Sequence, residues 1–328
     1  MKLVLILILF AVICSSASGQ TVAIDWLKNG TELQAQGKHS EAIAAYGKAI
    51  GLNPKLAEAW LNKGIALDDQ GKYDEAIQAH DRAIGINPQD AEAWNNKGIS
   101  LFSQGKCEVA IEAFDRAIES NPQDAKAWNN KGSALCIERK YDEAIKALDR
   151  AIEISPQYAN AWYNKGVSLA DQGKHDEAID AFDKAIEINP QDAETWYNRG
   201  TAFYILMKYD EAVNSFDRAI ETNPQYANTW YNKGVSLADQ GKHDEAIDAF
   251  DKAIVLDPQD AGAWYNKGTA LGNLGRHEEA NKAFDRAIEL NPQYENAWYN
   301  KGMALKSLGR TSEADAALAK AKELREKS

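Results

Sequence analysis

Two neighbouring columns of hydrogen-bonding side chains recur along this sequence at a fixed step of 34 residues. The first column is tyrosine at its last five positions, which are Tyr163, Tyr197, Tyr231, Tyr265 and Tyr299. The second column follows one residue later and is asparagine at eight positions, which are Asn62, Asn96, Asn130, Asn164, Asn198, Asn232, Asn266 and Asn300. Each amide can donate to a carbonyl and accept from an N–H group, and each tyrosine ring offers apolar contact area at low entropic cost. A ladder of such amides can hold an extended peptide without reading its side chains.

The residue types that usually carry catalysis form no recognisable site in the sequence. Four of the five histidines recur at one place in the 34-residue step, where other copies have tyrosine, cysteine or threonine: His39, His175, His243 and His277. We interpret them as solvated turn residues, and no set of carboxylates is specific to the neighbouring pair His243 and His277. The sequence has no glycine-rich phosphate loop, nucleophile elbow or metal-binding motif. We therefore predict a protein that is not an enzyme and that uses no cofactor or metal.

The charge balance limits the classes of partner that the protein is expected to bind. The sequence has 49 Asp and Glu against 37 Lys and Arg, which gives a formal net charge of −12. An acidic surface repels phosphate backbones, so nucleic-acid binding is not expected. Charge complementarity favours a neutral or basic protein or peptide over an acidic one.

The first nineteen residues differ in kind from the rest. Lys2 precedes an unbroken apolar run over residues 3–14, and small residues follow. This pattern predicts a secretory signal peptide over residues 1–19, so we expect a secreted, periplasmic or cell-surface protein. The apolar run is shorter than the ~20 residues that a spanning helix needs, which disfavours an uncleaved anchor and predicts no stable membrane span after cleavage. Lipid attachment at Cys14 is disfavoured because bulky residues precede it, where a small residue is usual.

Two cysteines beyond the predicted signal, Cys107 and Cys136, lie in adjacent copies of the step. An oxidising compartment would permit a disulfide between them. The repeating pattern contains no cysteine pair, however, so two isolated small apolar side chains are the favoured interpretation. A zinc site has no support, since neither a C-x-x-C pair nor a nearby histidine is present.

The elements that position these residues follow from two further periodic features. All nine tryptophans, Trp26 to Trp298, and all eight prolines, Pro54 to Pro292, keep the 34-residue step. With tryptophan at position 4 of each repeat, positions 4, 8 and 11 form one helical stripe and positions 20, 24, 27 and 28 form another. Position 8 is always glycine and position 20 always alanine, which lets two helices approach closely. Each repeat is thus predicted to be a helix-turn-helix hairpin, in which glycine at position 15 ends the first helix and position 18, for example Asp74, caps the second.

These residues resemble the tetratricopeptide repeat (TPR) family, whose repeat is also 34 residues long. The fifth copy carries the pattern as Trp162, Gly166, Leu169, Ala178, Phe182, Ala185 and Pro190. Nine copies follow one another at residues 23–56, 57–90, 91–124, 125–158, 159–192, 193–226, 227–260, 261–294 and 295–328. The resemblance implies an all-α solenoid whose hairpins stack into a right-handed superhelix. Asp315 and Lys322 in the ninth copy replace residues that are mostly apolar in the others, as a capping last helix requires.

The sequence departs from the family at position 7, where leucine is usual. Here that position is Arg199 in one copy, Asn29 in another and lysine in the remaining seven. We expect the aliphatic stem of each lysine to cover the edge of the core with its ammonium group in solvent. The aspartates at position 25, from Asp81 to Asp285, are the predicted partners of these cations.

By the resemblance, a groove lined mainly by the first helices receives the ligand, and positions 5 and 6 face or border it. The peptide-binding candidates are therefore Asn130, Asn164, Asn198, Asn232, Asn266, Asn300, Tyr163, Tyr197, Tyr231, Tyr265 and Tyr299. The asparagine column looks like the asparagine ladder in the TPR superhelix of O-GlcNAc transferase. The carboxylate clamp of chaperone-binding TPR domains has no counterpart apart from Lys126, so recognition of an acidic C-terminal tail is not expected.

Together these features favour an exported, monomeric scaffold that binds another protein or an extended peptide in this groove. Three alternatives stay open. The tyrosine column could bind a cell-surface glycan, since stacked tyrosines beside amides suit sugar rings. The array could have a structural role by associating end to end, although the polar last helix argues against it. Finally, the two columns could reflect the repeat consensus and not a ligand.

Overall fold

The computed structural model describes residues 20–327, so the predicted signal peptide lies outside the described residues. The described part contains eighteen helices and no strand. Contacts divide the chain into two units, Met1–Ser168 and Leu169–Ser328. None of the helices within residues 20–327 is long and apolar enough to cross a bilayer.

In the first unit the helices alternate as first and second helices of successive hairpins. Their bounds are residues 20–35 (α1), His39–Leu52 (α2), Ala57–Asp68 (α3), Tyr73–Ile86 (α4), Ala91–Ser103 (α5), Cys107–Ser120 (α6), Ala125–Ile137 (α7), Tyr141–Ile154 (α8) and Ala159–Asp171 (α9). The last three residues of α9 belong to the second unit.

The second unit continues the same alternation. Its helices are His175–Ile188 (α10), Ala193–Ile205 (α11), Tyr209–Thr222 (α12), Ala227–Asp239 (α13), His243–Leu256 (α14), Ala261–Asn273 (α15), His277–Leu290 (α16), Glu295–Ser307 (α17) and Thr311–Arg325 (α18). Asp315 and Lys322 on α18 are exposed, which fits the predicted polar face of the last helix.

The two helices of a hairpin meet where glycine at position 8 faces the side chain at position 24. A Cβ on Gly98 would lie 2.5 Å from Cε1 of Phe114, and a Cβ on Gly268 would lie 2.7 Å from Cε1 of Phe284. Both distances are too short for non-bonded carbon atoms, so any larger residue would push the helices apart. The close approach predicted from the glycine column is confirmed in both units.

The turn inside each hairpin requires a left-handed residue at position 15. Gly71 has φ of 71° and Gly241 has φ of 78°. Two repeats lack the glycine and adopt the same conformation with Arg139 at φ 57° and Met207 at φ 59°. A residue with a Cβ costs roughly 1–2 kcal/mol in this conformation. These two turns are therefore strained relative to the other turns.

The predicted N-cap of the second helix was wrong by two residues. Helix α4 begins at Tyr73, with Lys72 at the N-cap and no side-chain cap. Asp74 lies in the first turn, where a carboxylate is favourable at the positive end of the helix dipole. Its side chain accepts a hydrogen bond from Gln104 Nε2 at 2.9 Å and so does not cap the helix.

Tryptophan and proline, the two most regular residues of the sequence, are joined by hydrogen bonds. The indole Nε1 of Trp60 donates to the carbonyl oxygen of Pro54 at 3.0 Å. The same bond recurs in the second unit, where Trp230 Nε1 donates to the carbonyl oxygen of Pro224 at 3.1 Å. Each bond ties the first helix of one repeat to the loop that precedes it.

The lysines at position 7 are more enclosed than predicted. Lys97 Nζ lies 2.7 Å from Asp81 Oδ1 and 5.3 Å from the ring centroid of Trp94. The aspartate column does supply the partners, as expected. However, the ammonium group lies over an indole ring and not in open solvent, because the ring face and the carboxylate together hold it there.

No disulfide joins Cys107 and Cys136. Cys107 is buried in α6, and this burial, with the charge of Glu138 adding to it, raises the pKa of its thiol. A raised pKa keeps the thiol protonated at neutral pH. The interpretation of Cys107 as a small apolar side chain is confirmed.

Candidate peptide-binding surface

The predicted contact residues all lie on first helices. Asn130 lies on α7, and the remaining ten lie in pairs on α9, α11, α13, α15 and α17. All are half-buried except Tyr299, which is 43% exposed. Their position on successive first helices explains how residues 34 apart in sequence can lie close in space within each unit.

In the second unit, hydrogen bonds join the tyrosine of one repeat to the asparagine of the next. Three amide nitrogens donate to three phenol oxygens, in the pairs Asn232–Tyr197 at 2.9 Å, Asn266–Tyr231 at 3.0 Å and Asn300–Tyr265 at 3.2 Å. We call these six residues the Tyr–Asn row. An amide nitrogen only donates, so each hydroxyl must accept and keeps its own proton. Within the described part of this unit, the Tyr231 and Tyr265 hydroxyls donate that proton to no other side chain, whereas the Tyr197 hydroxyl also lies within hydrogen-bond reach of Thr201.

The rings of the Tyr–Asn row rest on the hydrophobic core. The ring centroid of Tyr197 lies 6.0 Å from that of Phe216, and the centroid of Tyr265 lies 6.1 Å from that of Phe284. Both phenylalanines are fully or almost fully buried at position 24. The rings are therefore held in place before any ligand arrives, which lowers the entropy cost of binding.

Two further tyrosines widen this aromatic surface. Tyr226 contacts Tyr197 edge to face, with ring centroids 5.4 Å apart, and Tyr294 lies 4.8 Å from Tyr265. Both occupy position 34, where several other repeats have an aspartate such as Asp260. Sequence reasoning missed them because it considered only the tyrosines at position 5.

Burial and nearby carboxylates keep the phenols of this surface protonated. Burial, with smaller contributions from Asp239 and neighbouring tyrosines, raises the pKa of Tyr204 to about 12. Burial also raises the pKa of Tyr294 to about 12, with Tyr265 adding to the shift. The pKa of Tyr231 is raised by burial and by the charge of Asp260. At neutral pH these groups are hydroxyl donors beside acidic side chains.

The first unit uses the same columns differently. Position 5 is Asn95 on α5 and Asn129 on α7, and the amides bond to one another. Asn164 Nδ2 donates to Asn129 Oδ1 at 2.8 Å, Asn129 Nδ2 to Asn130 Oδ1 at 3.3 Å, and Asn130 Nδ2 to Asn95 Oδ1 at 3.0 Å. We call these four residues the Asn row. Sequence reasoning missed Asn95 and Asn129 because it did not treat asparagine as an alternative to tyrosine in that column.

An open pocket lies beside the Asn row. Its volume is about 840 Å³, and Glu92, Asn96, Ile99, Lys126 and Tyr158 are among its lining residues. Asn95 and Asn129 themselves are only 8% and 5% exposed. These two amides are therefore almost closed to a ligand in this pocket.

One histidine outside the turn column is fully buried. His80 occupies position 24, and its Nε2 lies 3.1 Å from Asp68 Oδ2. Ser100 Oγ donates to both oxygens of the same carboxylate at 2.7 and 2.9 Å. A nucleophilic serine would have to bond to the histidine, and here it bonds to the aspartate. Nor does any group of three potential metal ligands occur among residues 20–327.

Comparison with known proteins places the chain in a family. Residues 27–91 and 95–159 match the model of the tetratricopeptide repeat, and residues 159–328 match the model of the C-terminal domain of cilia and flagella-associated protein 70. The chain belongs to the TPR family. No curated protein matches its sequence.

Solved TPR structures show the same fold. YrrB, described as a TPR protein with an unusual peptide-binding site, is 30% identical with a TM-score of 0.54, over 58% of this chain and 98% of YrrB. MamA is 27% identical with a TM-score of 0.50, over 52% of this chain and 92% of MamA. PilF of Pseudomonas aeruginosa is 20% identical with a TM-score of 0.56, over 63% of this chain and 94% of PilF, and shares the fold alone. The predicted all-α TPR solenoid is confirmed, and it supports a scaffold for protein–protein interaction.

Proposed function

We propose that this TPR chain binds an extended segment of another protein on the first helices of its second unit, without catalysing a reaction on it. The observation that carries the proposal is the Tyr–Asn row. Tyr231 and Tyr265 each keep a hydroxyl proton that no described residue accepts, on rings fixed against the core, and Tyr197 continues the row in the preceding repeat. One such donor per repeat is an arrangement that can hold successive carbonyl groups of a peptide.

One of the similar solved structures supports the same kind of ligand. YrrB is 30% identical and is described as having a peptide-binding site. The acidic net charge of −12 and the carboxylates near the tyrosines favour a neutral or basic segment.

Replacing the amides of the row tests this function. In the variant Asn232→Ala, Asn266→Ala, Asn300→Ala, each change removes one hydrogen bond that contributes about 0.5–1.5 kcal/mol to stability, so the array should stay folded. We expect the variant to lose most of its cross-linked partner when the native protein is captured and analysed by mass spectrometry. Asn214→Ala, an exposed asparagine on α12, is the matched control and should capture normally. Undiminished capture by both this triple variant and the double variant Tyr231→Phe, Tyr265→Phe would rule out this surface.

Export and the monomeric state are part of the proposal. Residues 1–19 motivate export, and the polar face of α18 motivates a monomer. The mass of the native protein should correspond to a chain that begins near residue 20, and light scattering should give the mass of one chain. An intact N-terminus on the native protein, or a mass that grows with concentration, would refute the respective statement.

A further inference from the structure

We infer that the Tyr–Asn row binds a proline-rich segment in the polyproline II conformation, with basic residues beside the prolines. This inference rests on the proposed function and names the class of segment that the surface fits. Four properties of the row support it: its donors, its aromatic pairs, its spacing and its charge.

The donors of the row match a ligand rich in free carbonyl groups. A polyproline II helix has no internal hydrogen bonds, so its carbonyl oxygens are all available, while proline offers no N–H group. The hydroxyls of Tyr231 and Tyr265 each have one proton to give, and the Tyr197 hydroxyl, which also contacts Thr201, continues the row. Access to Tyr231 is open, since the adjacent Gly262 has no side chain and a Cβ there would lie 3.6 Å from the Tyr231 hydroxyl oxygen.

The aromatic pairs supply the apolar contacts. Tyr197 with Tyr226, and Tyr265 with Tyr294, form two inclined pairs whose ring centroids lie 5.4 and 4.8 Å apart. Grooves lined by aromatic rings are the usual receptors for polyproline II segments, because the rings pack against the flat faces of proline. Tyr226 is 39% exposed and can make such contacts without rearrangement.

The spacing of the row distinguishes polyproline II from an extended strand. Successive first helices α11, α13, α15 and α17 contact one another, and helices in contact lie about 8–10 Å apart. One turn of polyproline II has three residues and advances roughly 9 Å, so equivalent residues fall at each repeat. In a strand, residues on one face recur every ~6.8 Å, so they lose register with the tyrosines after one or two repeats.

The charge of the surface favours basic residues in the ligand. Asp239 accepts a hydrogen bond from the Tyr204 hydroxyl at 2.9 Å, and Asp260 lies close enough to Tyr231 to raise its pKa. The one basic residue on each of α11, α13 and α15 already forms an ion pair with a carboxylate of another helix. Each pairs with an aspartate of the preceding second helix, as Arg199–Asp183, Lys233–Asp217 and Lys267–Asp251. An arginine or lysine beside the prolines would meet carboxylates and tyrosine faces.

The test compares two labelled peptides of equal length and charge by fluorescence anisotropy with the full chain. One peptide has four Pro-Pro-Arg triplets and the other has four Gly-Ser-Arg triplets. We expect the Pro-Pro-Arg peptide to bind at least about tenfold more tightly, a difference of about 1.4 kcal/mol. Both peptides carry the same charge, so simple attraction to an acidic protein cannot produce this difference.

Variants that keep the tyrosine rings but lack their hydroxyls show where the peptide binds. The double variant Tyr231→Phe, Tyr265→Phe removes two donors and should weaken binding of the Pro-Pro-Arg peptide about tenfold, while circular dichroism confirms that the helices are retained. Tyr209→Phe, which removes a hydroxyl outside the row in the same unit, is the control and should bind normally.

Each other outcome overturns the inference. If both peptides bind equally and both are weakened by the double variant, the surface binds peptides without a preference for polyproline II, and the proposed function stands alone. If the double variant binds the Pro-Pro-Arg peptide as tightly as the parent protein does, the peptide binds elsewhere on the protein. If neither peptide binds and a cell-surface polysaccharide does, both the inference and the proposed function are wrong.

Discussion

The two units of this protein use the same repeat positions in two different ways. On α5 and α7 of the first unit, amides occupy both columns and bond to one another, and the central asparagines Asn95 and Asn129 are 8% and 5% exposed. In the second unit, Tyr197, Tyr231 and Tyr265 in the first column each accept a hydrogen bond and are half-buried, and Tyr231 and Tyr265 keep a proton to donate. The same repeat positions therefore differ in how far their polar groups are open to a ligand, and the tyrosines of the second unit are the more open ones.

The largest expected effect comes from converting the second unit to the chemistry of the first. In the variant Tyr231→Asn, Tyr265→Asn, two rings and two phenol donors are lost. Each ring contact contributes about 0.5–1.5 kcal/mol, so affinity for the Pro-Pro-Arg peptide should fall about tenfold to a hundredfold. Anisotropy titration measures this fall.

The same substitution can be made in reverse. Asn95→Tyr, Asn129→Tyr introduces the second-unit residues into the first unit and tests whether tyrosine alone is sufficient for binding. If neither exchange altered the affinity, the distinction between the two rows would have no functional meaning.

The next effect concerns the core, which should be equivalent in the two units. Gly98→Ala and Gly268→Ala each place a methyl group under 3 Å from a buried phenylalanine, and we expect each to lower the free energy of unfolding by about 1–3 kcal/mol. Urea denaturation followed by circular dichroism measures the change. Gly272→Ala is the control, since a Cβ there meets nothing within 4 Å and alanine favours the helix by up to ~1 kcal/mol. A loss confined to one unit would show that the hairpins do not share one packing scheme.

The two strained turns offer a stabilising change in each unit. Arg139→Gly and Met207→Gly remove a Cβ from left-handed residues, and we expect each to raise the free energy of unfolding by about 0.5–1 kcal/mol. Thermal melts monitor the gain. Gly173→Ala, at the same place in a turn that already has glycine, should destabilise the protein. Unchanged melting of both glycine variants would mean that the left-handed conformation costs nothing here.

The smallest effect is a difference in alkaline stability. The pKa of Tyr204 is about 12 in the folded protein and about 10 when unfolded, so the folded state holds this proton more tightly. Its contribution to stability is present below pH 10 and is lost as the pH rises from 10 to 12. Tyr204→Phe should therefore flatten the fall in melting temperature between pH 10 and 12. An equal fall in the parent and the variant would contradict the shifted pKa.

Much of the fold can be predicted from the sequence because the same packing residues recur in every repeat. Glycine at position 8 and alanine at position 20 identify the helix contact, and the left-handed turn follows from glycine at position 15. The N-cap of the second helix could not be predicted in this way. Asp74 bonds instead to Gln104 of the next repeat, which only folding brings close to it.

The residue positions that form the candidate surface could be predicted from the sequence, but the hydrogen bonds between them could not. A bond such as Asn266–Tyr231 joins residues 35 apart, and it depends on the register between successive first helices. That register is a property of packing and is absent from any single repeat. Asn95 and Tyr231 both occupy position 5. For the same reason, the sequence did not show that Asn95 bonds to another asparagine of the protein whereas Tyr231 keeps a hydroxyl proton to donate.

The most direct test of the central claim is to map where a bound peptide touches the protein. A Pro-Pro-Arg peptide carrying a benzophenone side chain is irradiated with the full chain, and the adducts are located by mass spectrometry. We expect adducts on α11, α13 and α15, at and around Tyr197, Tyr231 and Tyr265. Adducts concentrated on α5 and α7 beside the Asn row, or on the second helices, would contradict it.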